Sequence, residues 1–585
     1  MQKIKTSEPI SREATLQRVV ESSKDILALV ASAAILLCLV SVLTHYVFSI
    51  YQPVRWPTKF YFFLFFFIAL ISQRWAVFCL IFSLPLLPEL HIQAEYIFQP
   101  KVKYFVNYAG VDVVVGTSLG LLVRRVFIEK VALINLWRPL PWPINILIVM
   151  LFISSFIAIA RNLFRSGLPF NVFDLVQSAI QFKLLQRIDP YFPAVEFIIY
   201  GICGFLIYYL LPILRQSPNR DQLILKPVLA GLFIASLLGI FQALTSYGLH
   251  GNTWTYRPES FGYGAQAFQP DIHAFAAHML VGTVGLFAYV VKERSAQKVS
   301  FFTALVWILC WIALVLSKSR ASLIFALLAN AILLACLVLN SKIKVWTIIA
   351  TSCLAIVSVI TLAYATNNLY WILDALKVLI SIENADWERL NQLSRDRLDI
   401  HSAALRMGWA FPLFGLGLGL FFPLSAIEKF SNSPYLVKMQ GENAHNYFLQ
   451  MFAEVGLVGI GCFILVFVYP LIQQKNRQIL YPSVVLITAS FLGNLYSHSL
   501  IIRENLLLLS VFAALMYSQI NYTKSFYFKN KLNFKQKRFI IIFIVLAVPI
   551  TYIFYLIVNE IYYSFGRFPF YFEKVTFEQY RKPFS

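Results

Sequence analysis

The chain has 585 residues, of which 59% are hydrophobic and 13% are charged, and its formal net charge is +21. Soluble domains usually carry about 25% charged residues. Because the shortage of charge runs along the whole chain, the composition excludes a large soluble domain at either end. The basic excess is therefore expected to set membrane topology and to meet anionic headgroups, and no basic module for nucleic acid is visible.

The apolar segments predict an all-α polytopic membrane protein with about 12–15 transmembrane helices and a long helical periplasmic loop, since a spanning helix needs about 20 apolar residues. Residues 1–24 are mixed polar and no small-residue cleavage site follows, so we expect a cytoplasmic N-terminus and a retained first helix. The predicted spans are 26–50, 59–72, 75–91, 108–123, 142–160, 195–213, 227–246, 274–291, 300–317, 321–340, 345–365, 447–471, 480–497, 504–520 and 539–558.

Lysine and arginine in the short loops indicate the orientation. With the N-terminus inside, the predicted inner loops include the stretch 524–538, which holds six basic residues and no acid. The outer segments 247–273 and 366–446 are much longer than a connection needs to be, and loops of this size usually carry function. Two more segments, 161–194 and the Phe- and Tyr-rich tail 559–585, are expected to lie along the membrane interface.

The cysteines and the histidines lie in different parts of the predicted topology. All seven cysteines lie within apolar segments, and none forms a CxxC motif or a Cys/His pair, which argues against a disulfide framework and predicts no metal site. All eight histidines fall on or near the predicted outer side. A single one needs no role beyond avoiding the bilayer centre, but together they place groups that titrate near neutrality on that side.

The long outer loop ends at residues 441–446, with the sequence GENAHN, directly before the predicted span 447–471. Asn446, Gln450 and Glu454 recur every four residues and therefore share one helix face. A polar stripe that enters hydrocarbon has to face protein or a wet cavity. The residues alone leave open whether His445 is a reactive group or only accompanies a helix cap made by Asn443 or a neighbour.

Residues 395–409 of the same loop are predicted to form an amphipathic helix. Its apolar face is expected to carry Leu398, Leu405 and Trp409. The expected polar face consists of Arg395, Asp399, Ser402 and Arg406. After Pro412, the glycines Gly415, Gly417 and Gly419 are expected to form a flexible connector, without the preceding strand of a dinucleotide-binding loop. The arginines fit either a solvated, salt-bridged face or a site for an anion.

Two more arginines lie on the predicted outer side. Arg257 belongs to the loop 247–273, and Arg320 follows Ser319 where one span ends and the next begins. Either side chain could simply reach the lipid headgroups. A planar guanidinium also donates bidentate hydrogen bonds to phosphate, so both arginines are candidate phosphate ligands.

Taken in chain order, these motifs resemble the O-antigen ligase / O-antigen polymerase superfamily. The most specific part is His445-Asn446 followed by the sequence AEVGLVG at residues 453–459. The resemblance covers roughly residues 225–475. It also includes the Arg257 loop, Ser319-Arg320 before a helix, and Arg397 followed by Gly415-x-Gly417-x-Gly419. One departure is His401, where family members often carry a tryptophan.

The resemblance implies a division of the chain. Membrane helices at 25–225 would precede a catalytic membrane region at 226–475, which includes both long outer loops. Further membrane helices at 476–558 and the tail 559–585 would complete the protein.

The resemblance also implies an inverting, metal-independent glycosyltransferase without a cofactor, in the bacterial inner membrane with periplasmic catalytic loops. The donor would be a glycan on undecaprenyl pyrophosphate, and the acceptor a hydroxyl of lipid A-core for a ligase or another glycan for a polymerase. His445 would activate the acceptor, and Arg397 and Arg257 would hold the pyrophosphate. The implied substrate-binding residues are Arg320, Arg406, Asn446, Gln450 and Glu454.

Other functions remain open on the sequence. A polymerase of O-antigen or exopolysaccharide and a protein O-oligosaccharyltransferase of the same superfamily would differ only in the acceptor. A transporter would be expected to carry charged groups within its spans and paired broken helices, and neither is apparent in the sequence. Metal-dependent oligosaccharyltransferases need carboxylates in the first outer loop, and residues 51–58 contain none.

Overall fold

The computed structural model describes most of the helical part of the chain. The described residues are 12–48, 56–87, 109–130, 140–180, 182, 185, 187, 189–245, 265–269, 272–287, 301–340, 391, 396–427, 429–431, 433–439, 441–474 and 477–520. Arg257, the predicted spans 345–365 and 539–558, and the tail 559–585 lie outside these residues.

The described residues form helices, and no β-strand occurs among them. In chain order the helices are α1 (Arg12–Phe48), α2 (Trp56–Ile71), α3 (Gln73–Ser83), α4 (Ala109–Val123), α5 (Trp142–Ser166), α6 (Val172–Ile180), α7 (Phe192–Gln216), α8 (Arg220–Thr245), α9 (Ile272–Leu280), α10 (Phe301–Leu316), α11 (Arg320–Asn340), α12 (Arg397–Ala410), α13 (Phe421–Leu424), α14 (Pro434–Met439), α15 (Tyr447–Gln473), α16 (Arg477–Asn494) and α17 (Arg503–Ser518).

Among the described residues, five helical segments are long and apolar enough to cross a membrane, judged by length and composition. They are Glu21–His45, Trp142–Ser166, Phe192–Gln216, Arg220–Leu244 and Tyr447–Gln473. Apolar runs of this length become helices because hydrocarbon offers the backbone no other hydrogen-bond partner. Shorter apolar helices coincide with further predicted spans. The prediction of an all-α polytopic membrane protein is confirmed.

Helix α3 is shorter than the predicted span 75–91. It begins after Ser72, whose hydroxyl accepts a hydrogen bond from the Trp75 backbone N–H, and it ends at Ser83. Pro85 follows two residues later, and a proline lacks the N–H that would continue the helix. Helix α3 therefore covers only the first part of the predicted span, and residues 88–91 lie outside the described residues.

Helix α6 lies within the segment that we expect at the membrane interface. Val172 and Phe173 at its start are exposed. The Ile180 carbonyl at its end accepts a hydrogen bond of 2.8 Å from His45 Nδ1, which ties α6 to the end of α1. The exposed apolar side chains are consistent with the interfacial position, which stays a prediction.

Helix α15 is broken at Gly456, where φ is 66° and ψ is −170°. Segment 411–419, which contains the three glycines, pairs with the break through backbone hydrogen bonds. Leu416 N–H donates to the Ala453 carbonyl at 2.8 Å, and Leu457 N–H donates to the Pro412 carbonyl at 2.8 Å. Backbone groups freed inside a membrane helix have to be paired within the protein. The glycine segment is therefore docked on α15, and the expectation of a flexible connector was wrong.

A second element supports this docked segment. Arg161 near the end of α5 donates to the carbonyl of Gly415 at 2.8 Å and also to that of Leu416. Its guanidinium lies 4.5 Å from the centroid of the Phe411 ring. Charge-assisted bonds of this kind hold the segment against α5 and α15.

The predicted helix at 395–409 is confirmed as α12, but its predicted apolar face is wrong. The buried face carries Ile400, Ala403 and Met407, whereas Leu405 and Trp409 are 40% and 65% exposed. In a membrane protein, apolar side chains can face lipid, so hydrophobicity alone does not mark the side that packs against protein.

Candidate functional site

Several helix ends and loops converge at one end of the bundle, which we call the loop end because it carries residues 396–446. The contributing parts are the start of α9, the turn between α10 and α11, the start of α12, residues 441–446, and residues 495–498 between α16 and α17. Polar side chains from all five parts make contact there, as described below.

Arg397 is held in one orientation at the loop end. It is 6% exposed, and its Nη1 donates to the Tyr496 carbonyl at 2.9 Å. Its Nη2 donates to His273 Nε2 at 2.8 Å. The guanidinium carbon also lies 4.3 Å from the centroid of the Tyr496 ring. The plane of the guanidinium is therefore fixed before any anion arrives.

His273 is neutral in this arrangement. A guanidinium can only donate hydrogen bonds, so His273 Nε2 has to accept, and the ring proton lies on Nδ1. His273 Nδ1 is 3.3 Å from the hydroxyl of Ser319, and the Ser319 hydroxyl donates to that of Ser322 at 3.1 Å. The turn before α11 therefore orients a histidine that in turn orients Arg397.

His445 lies beside a second histidine. Its Nδ1 is 3.1 Å from Nδ1 of His498, and the two ring centroids are 4.7 Å apart with the rings nearly perpendicular. The backbone of His445 is left-handed, with φ at 49°. Such a conformation is uncommon for a residue other than glycine and persists where the surroundings enforce it.

The residues on either side of His445 enforce that backbone. Asn446 caps α15, because its Oδ1 accepts from the backbone N–H groups of Phe448 and Leu449 at 3.0 and 3.1 Å. Asn446 Nδ2 also donates to the Leu495 carbonyl at 2.8 Å. The Ala444 N–H donates to the Gln450 side chain at 3.2 Å. The cap predicted near this position is therefore made by Asn446, and it coexists with a histidine pair.

The polar stripe of α15 faces protein, as its spacing predicts. Gln450 Nε2 donates to Glu454 Oε1 at 3.1 Å, and Glu454 Oε2 accepts from Gly419 N–H at 2.9 Å. Glu454 is 5% exposed and also accepts from Phe421 N–H. In the structure Gln450 and Glu454 join α15 to the glycine segment and to the backbone of Ala444, next to His445. Their predicted contact with substrate stays a prediction.

A third histidine, His401, lies on α12 close to both groups. Its ring meets the Tyr496 ring edge to face at 6.5 Å, and it bonds to the backbone of Ala444. Burial, followed by the nearby charge of Arg397, lowers the pKa of His401 to about 4. His401 is therefore neutral near pH 7 and contributes no charge to the site.

A polar cavity lies below residues 441–446, between the loop-end portions of α7, α15 and α17. Its polar lining includes Glu196, Arg503, Tyr200, Tyr447 and Glu454. Arg503 forms an ion pair of 3.3 Å with Glu196, and the Tyr200 and Tyr447 hydroxyls are 2.7 Å apart. Groups of these types both donate to and accept from sugar hydroxyls.

The other predicted site residues are three arginines. Arg320 begins α11 next to Ser319 and is half-buried, whereas Arg406 is exposed on α12. Arg257 lies outside the described residues. Within the part of the chain that the structure describes, no three His, Cys, Asp or Glu side chains are placed to hold a metal ion.

Sequence reasoning did not single out His273, Tyr496 or His498 as site residues. Tyr496 falls inside the predicted span 480–497, although the polar run Ser497-His498-Ser499 directly after it interrupts the apolar pattern. That interruption is the one signal that could have located this loop. Nothing in the spacing relates it to Arg397 or His445.

Residues 304–464 match the family model described as O-Antigen ligase. The matched range contains Arg320, Arg397, the glycine segment and His445, and it is narrower than the 225–475 of the sequence resemblance. It begins after His273 and ends before Tyr496 and His498. No curated protein matches the chain. The resemblance to the O-antigen ligase superfamily is confirmed for the region that carries the candidate site.

Proposed function

We propose, starting from the O-antigen-ligase region at residues 304–464, that this membrane glycosyltransferase moves a glycan from an undecaprenyl-pyrophosphate carrier to an acceptor hydroxyl. The acceptor proposed is lipid A-core, on the outer face of the bacterial inner membrane. The observation that carries the proposal is the convergence of Arg397 and His445 at one end of the bundle, where the loop 495–498 contacts both.

In the proposed reaction His445 removes the proton from the acceptor hydroxyl as its oxygen attacks the anomeric carbon of the donor sugar. The bond from that carbon to the pyrophosphate oxygen breaks on the opposite face, and its electron pair leaves with the pyrophosphate. Attack from the opposite face inverts the anomeric configuration. A positioned general base contributes roughly 10²–10⁴-fold to such a step.

The pyrophosphate gains negative charge as it leaves, and Arg397 is proposed to match that charge. Its guanidinium is already oriented by Tyr496 and His273, so little reorganisation is needed when the charge develops. Arg320 and Arg257 are proposed as further phosphate ligands. Fixed guanidinium groups in a water-poor site supply the stabilisation that a divalent cation gives in other transferases, so the reaction is proposed to be metal-independent.

Deletion of the gene in its host tests the proposed function. Surface polysaccharide would be separated on a gel and probed for both glycan and core. Loss of the whole ladder with free core remaining is expected for a ligase, whereas a band of one repeat unit would indicate a polymerase. A normal ladder together with lost solute uptake would contradict glycosyl transfer and favour a transporter. Loss of glycan from proteins alone would indicate a protein glycosyltransferase.

The proposed orientation predicts that the loop end is extracytoplasmic. Arg406→Cys, exposed on α12, should react with a membrane-impermeant maleimide added to spheroplasts. Gln216→Cys, exposed at the opposite end of the bundle, should react only after lysis. The unsubstituted chain, with its cysteines in apolar segments, gives the background. The reverse labelling pattern would place the site in the cytosol, where a periplasmic donor cannot reach it.

A further inference from the structure

A loop outside the family-matched region completes the site. Residues 495–498 follow α16, and Leu495 and His498 contact the two residues directly before α15, Asn446 and His445. The Leu495 carbonyl accepts from Asn446 Nδ2 at 2.8 Å, and His498 Nδ1 lies 3.1 Å from His445 Nδ1. We propose that His498 is a positioning residue that accepts a hydrogen bond from His445 and so keeps His445 Nε2 available as the base. This inference rests on the proposed function.

The geometry limits the proton arrangement of the pair. A short contact between two Nδ1 atoms is a hydrogen bond only when one ring carries the proton and the other accepts it. If His445 donates, its lone pair lies on Nε2, and His498 carries its own proton on Nε2. In the opposite arrangement His445 Nε2 is protonated and cannot act as a base. Catalysis by His445 Nε2 therefore requires His498 Nδ1 as the acceptor.

The same bond stabilises His445 once it has reacted. When the acceptor O–H bond breaks, its proton moves to His445 Nε2, and the ring becomes an imidazolium. The hydrogen bond from His445 Nδ1 to His498 is then charge-assisted and stronger. His498 does not need to take the proton. It acts as the third group that orients a base, which is the general arrangement of nucleophile or acceptor, base and orienting partner.

The charged and titratable groups around the histidine pair affect how easily His445 can carry a positive charge. His401 lies against the Ala444 backbone and is neutral, because its pKa is lowered to about 4. Arg397 stacks on Tyr496, two residues before His498, and its positive charge disfavours a second cation nearby. Glu442, three residues before His445, is half-buried, and its side chain accepts a hydrogen bond from the Asn443 N–H. The bond to His498 favours the imidazolium of His445, because a charged Nδ1–H donates more strongly to the His498 nitrogen.

Substitutions at position 498 test the acceptor. His498→Ala removes it, whereas His498→Asn places an amide oxygen at the same number of bonds from Cα as Nδ1. His498→Gln moves that oxygen outward by one methylene. The assay is transfer from a lipid-linked donor by purified protein, with kcat, donor KM and pH profile measured for each variant. Size-exclusion chromatography establishes that each variant is folded.

We expect His498→Ala to lower kcat by about 100-fold with little change in donor KM, because general-base assistance is weakened while the pyrophosphate site is intact. His498→Asn should recover most of that loss and His498→Gln should not. Wild-type activity in His498→Ala, or a His498→Asn variant as slow as His498→Gln, would overturn the proposal. If His498→Ala does not fold, the contrast between Asn and Gln decides.

His445→Ala distinguishes a failure of the role proposed for His498 from a failure of the proposed mechanism itself. An inactive, folded His445→Ala together with a fully active His498→Ala would overturn only the role of His498. An active His445→Ala would remove the base itself and with it the proposed mechanism. An unfolded His445→Ala would be replaced by His445→Gln, which keeps a polar side chain but provides no base.

Discussion

Replacing Arg397 with lysine is expected to lower the rate of glycan transfer by at least about 100-fold, the loss that follows removal of one preorganised donor from a charge-stabilising site. Lysine keeps the positive charge but lacks the planar fork of donors. Its single Nζ would have to replace two guanidinium nitrogens, Nη1 at 2.9 Å from the Tyr496 carbonyl and Nη2 at 2.8 Å from His273 Nε2. The measurement is kcat with a lipid-linked donor in nanodiscs.

The control for Arg397→Lys is Lys438→Ala, which removes an exposed cation from α14, also within residues 396–446. This variant should transfer at the wild-type rate, because a general loss of positive charge is not the proposed cause. EDTA should leave both the wild type and the control unchanged. If a folded Arg397→Lys is as active as the control, Arg397 is not the group that stabilises the leaving pyrophosphate.

The membrane helices could be predicted from sequence because the cause is local. A run of about 20 apolar residues has few alternatives in a bilayer other than a helix. Helices α5, α7 and α15 accordingly contain the predicted spans 142–160, 195–213 and 447–471. The break at Gly456 inside α15 was not predicted, because it depends on pairing with residues 411–419, far away in the chain.

The candidate site could be predicted only in part. The spacing of Asn446, Gln450 and Glu454 is local, and their common inward face follows from helix geometry. The contacts that orient Arg397 and His445 join residues 99 and 53 positions apart, and no periodicity connects such pairs. The predicted apolar face of α12 was wrong for a different reason. Its exposed Leu405 and Trp409 are as apolar as core residues, because lipid as well as protein accepts them.

The docked glycine segment is linked by hydrogen bonds to the residues around His445. Glu454, one turn below Gln450, accepts from the Gly419 N–H, and Gln450 in turn accepts from Ala444 next to His445. With the bond from Gln450 Nε2 to Glu454 Oε1, a continuous set of hydrogen bonds runs from the glycine segment to the backbone of Ala444, next to the proposed base. The position of His445 therefore depends on how residues 411–419 pack on α15. A substitution at Gly456, where α15 is broken, should displace His445.

Replacing Gly456 with alanine is expected to destabilise the protein by more than about 2 kcal/mol, since its φ of 66° with ψ of −170° is a region that essentially only glycine occupies. A Cβ there would also overlap the Leu413 carbonyl in the docked segment. The segment would have to move away from α15 and release the backbone bonds to Leu457 and Val458. Transfer activity should fall with the melting temperature in detergent, measured by size-exclusion chromatography after heating.

Gly461→Ala is the matched control, five residues further along the same helix. A Cβ at Gly461 meets nothing within 4 Å, and the residue is exposed. Alanine is favoured over glycine in a helix by about 1 kcal/mol, so this variant should be as stable as the wild type or slightly more so. Equal melting temperatures and equal activities for the two alanine variants would mean that α15 tolerates a continuous helix through position 456. The docking of the glycine segment would then not be what positions His445.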